Sequence, residues 1–143
     1  ESDRSIGLYT LKTYVESFGY TAEARSGMGS ELFLTDHFSH EGRPFLLLIN
    51  SNYTNLYVNH WIVVDGVETI DGTLYAMVRD SYTNFAKGNV PLGKGIKDAG
   101  GGLILVPLDV LQEASSVATL PGQGIKITGV PTEAPEPVDI PEY

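Results

Sequence analysis

The stretch that decides the fold is a pair of apolar segments separated by a short polar turn. Residues 57–67 read YVNHWIVVDGV, residues 68–72 read ETIDG, and residues 73–80 read TLYAMVRD. Both apolar segments are rich in β-branched and aromatic residues, which favour strands. An Asp-Gly pair between two such segments is typical of a tight hairpin turn. The sequence therefore predicts an antiparallel hairpin over residues 57–80.

A histidine and an aspartate fall at matched places on this hairpin. If the turn centres on residue 70, His60 lies directly opposite Asp80, and opposed Cβ atoms are roughly 4.5–5.5 Å apart. An imidazole N–H can donate to a carboxylate over that distance. Both residues alternate with apolar ones, so the pair is predicted on an apolar face, where desolvation tunes pKa values. A slip of one residue would separate them, and a hydrogen-bonded core histidine beside a turn-capping aspartate explains the same spacing.

The rest of the chain predicts an α+β fold. Apolar residues at helical spacing predict an amphipathic helix over residues 3–18. Further strands are predicted at 20–25, 45–50 and 103–106, followed by a short helix over 107–114, whereas residues 26–42 show no clear period. We expect a helix packed on an antiparallel sheet of about four or five strands.

The composition changes after the last predicted helix. The stretch from residue 131 onward holds four prolines and four acidic residues, with no basic residue. Such a segment cannot bury enough apolar surface to fold alone. The sequence therefore predicts one domain over residues 1–114 and a Pro-rich acidic tail or linker over residues 115–143.

Charge and composition exclude several classes of function. The 143 residues carry a formal net charge of −9, which argues against nucleic acid and against anionic membranes. No apolar run approaches the roughly 18 residues needed to span a bilayer. The chain has no Cys, which excludes disulfides and thiolate metal sites. Because the first residue is Glu1 rather than Met, we expect processing or trimming at the N-terminus.

One segment contains two histidines beside acidic residues. On a helix, His37 and His40 would share a face near Asp36 and Glu41, and could hold a divalent metal. A polar loop that happens to contain two histidines explains the segment equally. We predict neither a metal nor another cofactor.

The hairpin resembles the His and Asp segments of papain-like cysteine peptidases, most of all the C39-like group that includes the double-glycine leader peptidases. The residues concerned are VNHWIVVDGV (58–67) and VRDS (78–81), preceded by PFLLLI (44–49) and by LKTYVESFGY (11–20), which is similar to the family's helix-then-Gly segment. The resemblance covers roughly residues 8–106. It implies a papain-like fold, a peptide or protein substrate, His60 as general base and Asp80 as its orienter. It also favours a bacterial exported or secreted protein over a cytoplasmic one.

The family's nucleophilic Cys, normally at a helix N-terminus, is missing. It could lie upstream of Glu1, in a segment or chain not printed, or be replaced by Ser5 near the start of the first helix. A Ser–His–Asp hydrolase is a further option. A catalytically inactive module that binds peptides or proteins is the alternative function, and an unrelated structural α+β domain is a third. In the hydrolase and in the inactive binding module alike, Asn59, Trp61 and Tyr82 flank the site and are predicted to contact substrate.

Overall fold

In the described part of the chain, the protein has an α+β fold in which three helices pack on one antiparallel sheet. The structure, a computed structural model, describes residues 7–49, 60–80, 95–116 and 122–131, with backbone alone at His60. The elements in chain order are α1 (Leu8–Glu16), β1 (Thr21–Arg25), α2 (Glu31–His40), β2 (Phe45–Ile49), β3 (His60–Ile70), β4 (Thr73–Arg79), β5 (Lys97–Gly100), β6 (Leu103–Pro107), α3 (Leu108–Ala114) and β7 (Gly124–Gly129).

The sheet has seven strands in the described part of the chain, in the order β1-β7-β2-β3-β4-β6-β5, and each pair of neighbouring strands is antiparallel. The α+β class is confirmed, but the expected count of four or five strands is too low. The two additional strands, β5 and β7, read KDAG and GIKITG. Neither contains the apolar run that marks a buried strand, so tertiary pairing determines their conformation.

The helix α2 also lies where the sequence shows no clear period. It begins after Ser30, whose side-chain oxygen accepts a hydrogen bond from the backbone N–H of Phe33 at 3.1 Å. This N-cap satisfies one of the donors that a helix start leaves free. A local cap thus compensates for a weak apolar pattern.

Strand β7 corrects the predicted domain boundary. It lies between β1 and β2, where Ile125 pairs with Ala24 on one side and with Leu46 on the other, and its side chain is fully buried. The prediction of a tail or linker from residue 115 is therefore wrong for residues 122–131. Only Ile125 and Ile127 of this strand are apolar apart from glycine, which is why composition did not reveal it. Residues 132–143 lie outside the described residues.

The two faces of the sheet are covered by different helices. The core face carries alternate residues such as Leu47, Ile62 and Val78, and α2 and α3 pack on it through Leu34 and Leu111. The outer face carries the intervening residues. There α1 contacts β1 and β7, and Val15 of α1 shares a cavity with Leu46, Val63 and Ile127 of the sheet. None of the helices in the described ranges is long and apolar enough to cross a membrane.

We predict that replacing Gly122 by Ala destabilises the fold more than replacing Gly42 by Ala. Both glycines have positive φ, of 72° and 75°, which costs a residue with a side chain about 1–2 kcal/mol. A Cβ at Gly122 would also lie 2.6 Å from the backbone N of Met28, whereas a Cβ at Gly42 meets nothing within 4 Å. Overpacking of this kind adds about 1–3 kcal/mol.

Urea unfolding of the two variants measures this difference. Equal losses of unfolding free energy would mean that the segment leading into β7 does not pack against Met28 as described.

Candidate functional site

The hairpin of β3 and β4 contains a β-bulge that sets its register. From the turn, the pairs run from Ile70 with Thr73 to Gly66 with Met77, and then continue with Val64 opposite Val78. Asp65 is the extra residue. The turn consists of Asp71 and Gly72, both at positive φ, as expected of a two-residue Asp-Gly hairpin. The turn is therefore centred between residues 71 and 72, and the predicted centre at residue 70 is wrong.

This register changes the relation between His60 and Asp80. Val63 pairs with Arg79, so the next position along the two chains places Asp80 opposite Ile62. His60 pairs with Ile49 of β2 and lies two residues beyond Ile62. The two residues are therefore diagonal neighbours, and the prediction that they oppose each other directly is wrong. Diagonal positions on one face are roughly 7–8 Å apart, which long and aromatic side chains can span.

Both positions belong to the core face by strand alternation. Ile62 and Val64 lie in the core, and His60 has the same parity along β3. Asp80 follows Val78 by two residues, and its side chain is only 6% exposed. The two positions thus share the face of the sheet that the sequence predicted for them, although their register is different.

Asp80 is the one buried carboxylate in the described part of the chain. Removing a carboxylate from water costs free energy unless charged or hydrogen-bonding groups compensate for the lost hydration. Asp80 has an interacting partner in the structure. Aspartate is rarely buried in folded proteins, so a buried carboxylate is an informative position. Asp80 is therefore the strongest described candidate for a site residue.

A second aspartate in the hairpin serves the bulge itself. The Nε of Arg79 donates to Oδ2 of Asp65 at 2.9 Å, and Nη1 of Arg79 donates to the carbonyl of Gly101 at 3.4 Å. Because the Arg79 side chain is half exposed, this ion pair contributes at most about 1 kcal/mol. Its role is to hold the bulged residue outside the ladder, away from the core face.

The other predicted site residues are not brought together with Asp80. Trp61 pairs with Leu48 on the outer face, opposite to the face of Asp80, and is half-buried. Ser5, Asn59 and Tyr82 lie outside the described residues. The catalytic interpretation of the hairpin also predicts that α1 faces the cleft at His60 and Asp80, but α1 packs on the outer face, so that expectation is wrong. The tight turn after α1 leads into the edge strand β1 and places the helix there.

The two histidines of α2 diverge and do not form a metal site. The ring of His37 is buried among Phe33, Phe38 and Phe45, and its Nε2 hydrogen-bonds the carbonyl of Arg43 at 2.8 Å. His40 is exposed beside Asp36. No group of three or more metal-ligating side chains occurs among the residues that the structure describes.

An ion pair joins the end of α2 to β7. The carboxylate of Glu41 lies 2.7 Å from Nζ of Lys126, and this hydrogen bond is the main cause that lowers the pKa of Glu41 below its ordinary value. A lowered folded-state pKa means that the pair stabilises the fold above the unfolded-state pKa of Glu41. The contribution is lost as the pH falls through the folded-state pKa. The pair is structural, because Glu41 lies far along the chain from the hairpin and is exposed.

The structure also contains an apolar groove that the sequence did not predict. This α1 groove lies on the outer face, has a volume of about 360 Å³, and opens between α1 and the sheet. No local motif marks it, because its walls come from four separate elements and the segments that join them. It is lined by Val15, Tyr20, Pro44, Phe45, Leu46, Val63, Ile127 and Val130.

Comparison of this chain with protein-family models, with curated proteins and with solved structures gives no match. The site has to be interpreted from its own residues.

We predict that a Val63→Cys, Arg79→Cys variant forms a disulfide on mild oxidation, whereas Trp61→Cys, Arg79→Cys does not. The first pair is directly opposed, within the Cα separation of roughly 4.4–6.8 Å that a disulfide requires. The second pair would be opposed only if the turn centred on residue 70. Because the chain has no cysteine of its own, mass spectrometry reads the cross-link directly. Cross-linking of the second pair alone would contradict the bulged register.

Proposed function

We propose that this chain carries the base-and-orienter half of a papain-like hydrolase that acts on a peptide or protein amide bond. The observation that carries the proposal is the buried carboxylate of Asp80 on the core face, one diagonal step from the position of His60. The resemblance of residues 58–67 and 78–81 to the His and Asp segments of papain-like peptidases supports the same assignment.

In this proposal His60 accepts the proton of the nucleophile as that atom attacks the substrate carbonyl. Asp80 accepts a hydrogen bond from the other ring nitrogen, which fixes the tautomer and stabilises the imidazolium. The proton then passes to the leaving amine as the C–N bond breaks, and an acyl intermediate remains on the nucleophile. Water, deprotonated by His60, hydrolyses that intermediate. Peptidase, deamidase and acyltransferase reactions share the first step.

The nucleophile is Ser5 or a cysteine supplied by an upstream segment or another chain. The position of α1 favours the second source, because α1 begins only three residues after Ser5 and packs on the outer face, opposite to Asp80. A helix that carries the nucleophile has to approach the core-face end of the hairpin instead.

An inactive module that binds peptides is the second candidate function. The lack of any cysteine in the 143 residues favours it, as does the α1 groove, whose size lies in the range of small ligand sites. In this case His60 and Asp80 have a structural role only.

We predict that Asp80→Asn lowers the pKa of His60, because a neighbouring carboxylate favours the charged imidazolium. The midpoint is measured by NMR titration of the His60 ring signals in the full chain. Glu68→Gln is the matched control, since Glu68 is an exposed carboxylate in the same hairpin. An unchanged midpoint in Asp80→Asn would show that the two residues do not form a pair.

We also predict that the protein made with its upstream gene sequence cleaves unstructured peptides. His60→Ala should reduce the rate by about 10²–10⁴-fold, the usual contribution of a general base. His40→Ala, on an exposed side chain, should leave the rate unchanged.

The gene also discriminates between the two functions. A gene without an upstream cysteine codon, together with an unreactive Ser5, would favour the binding module over the hydrolase.

A further inference from the structure

An exposed aromatic surface lies at the end of α1. Tyr14 and Phe18 are 59% and 58% exposed, and their rings form an edge-to-face pair with centroids 5.1 Å apart. Tyr20, just beyond the helix, is also exposed. We call these three residues the aromatic patch. Contiguous apolar surface of this kind is uncommon on a soluble protein and marks an interaction site.

The aromatic patch continues into the α1 groove. Tyr20 belongs to both, and the backbone N–H of Phe18 in the patch donates to the carbonyl of Val15 in the groove at 3.1 Å. The groove walls are almost wholly apolar. Patch and groove together form one open apolar surface on the outer face of the sheet.

The chain leaves the sheet at the rim of this surface. Strand β7 ends at Gly129, and the next residue, Val130, lines the groove and is itself exposed. Pro131 then lies directly against Gly19, because a Cβ built at Gly19 would be 3.2 Å from Cγ of the proline. The twelve residues 132–143 therefore start beside Phe18 and the groove.

The composition of residues 132–143 suits such a surface. They include Pro135, Pro137 and Pro141, with Val138 and Ile140 between the last two. Proline-rich segments favour the polyproline II conformation. Aromatic-lined grooves bind that conformation at low entropic cost, because the segment is already extended. Extended, twelve residues span at most about 40 Å.

The charges are also complementary. Residues 132–143 carry four acidic side chains and no basic one. Arg43, next to the groove residue Pro44, donates to the carbonyl of Ile127 and is one of the positive charges that lower the pKa of Glu41. A segment that crosses the groove brings its carboxylates near this guanidinium.

We infer that residues 132–143 dock as an extended, proline-rich segment on the aromatic patch and the α1 groove of their own chain. The direct connection through Pro131 gives the segment a high effective concentration at the groove, which a separate partner would lack. The occupied surface lies on the face opposite to Asp80, so this docking is independent of the proposed hydrolase site.

A spin label tests this inference in the full chain. The chain has no cysteine, so Glu142→Cys provides a single position for a nitroxide. We expect the NMR signals of Val15, Tyr20 and Val130 to lose intensity relative to the reduced label, while those of Leu32 and Leu111 on the other side of the sheet keep theirs. Adding Val138→Asp and Ile140→Asp should restore the lost intensity without touching any described residue.

Matched variants and mixed samples complete the test. Phe18→Ala should weaken the effect, whereas Leu32→Ala, at a more exposed apolar residue of α2, should not. Equal intensities at the groove and at Leu32 would overturn the inference. A loss seen only between labelled and isotope-enriched copies would also overturn it, because the segment would then dock on a second copy.

Discussion

The structure of the hairpin depends on one extra residue, Asp65. In a regular ladder that continued from the turn, Asp65 would oppose Val78 and place a carboxylate in the core. The bulge prevents this by excluding Asp65 from the ladder, where Arg79 holds it. Val64 then meets Val78, and both are fully buried. The free energy of keeping a carboxylate out of the core thus determines the register.

The same bulge decides which face the candidate site occupies. Without it, Asp80 would oppose Val63 and would not share a face with His60, because a shift of one residue exchanges the two faces of a strand. With it, Asp80 follows Val78 on the core face at the end of β4. Bulges frequently redirect side chains beside functional sites, and here the redirection keeps a histidine position and a buried carboxylate on one side of the sheet.

The sequence predicted what local pattern controls and failed where long-range pairing decides. The apolar runs of β2, β3, β4 and β6 were evident, as were the α+β class and the parity of residues 60 and 80. Strand β7 was missed, because six residues with two isoleucines carry no strand signal until β1 and β2 enclose them. The register was misjudged by two residues, because the turn lies at residues 71 and 72 rather than at residue 70, which shifts the pairing by three, and the bulge at Asp65 takes back one of these. The position of α1 on the outer face likewise follows from its connection to an edge strand.

The helices cover the two faces of the sheet to different extents. On the core face, α2 and α3 pack through Leu34 and Leu111, and Asp80 lies just beyond the end of β4. In the described part of the chain, α1 covers the outer face mainly over β1 and β7, and it buries none of its own residues completely. A helix that is so incompletely packed gains little from its own amphipathic face, since most helical stability comes from such packing. Contacts from residues 132–143 would bury the aromatic side chains that α1 leaves exposed, so the segment would stabilise the helix as well as cover the groove.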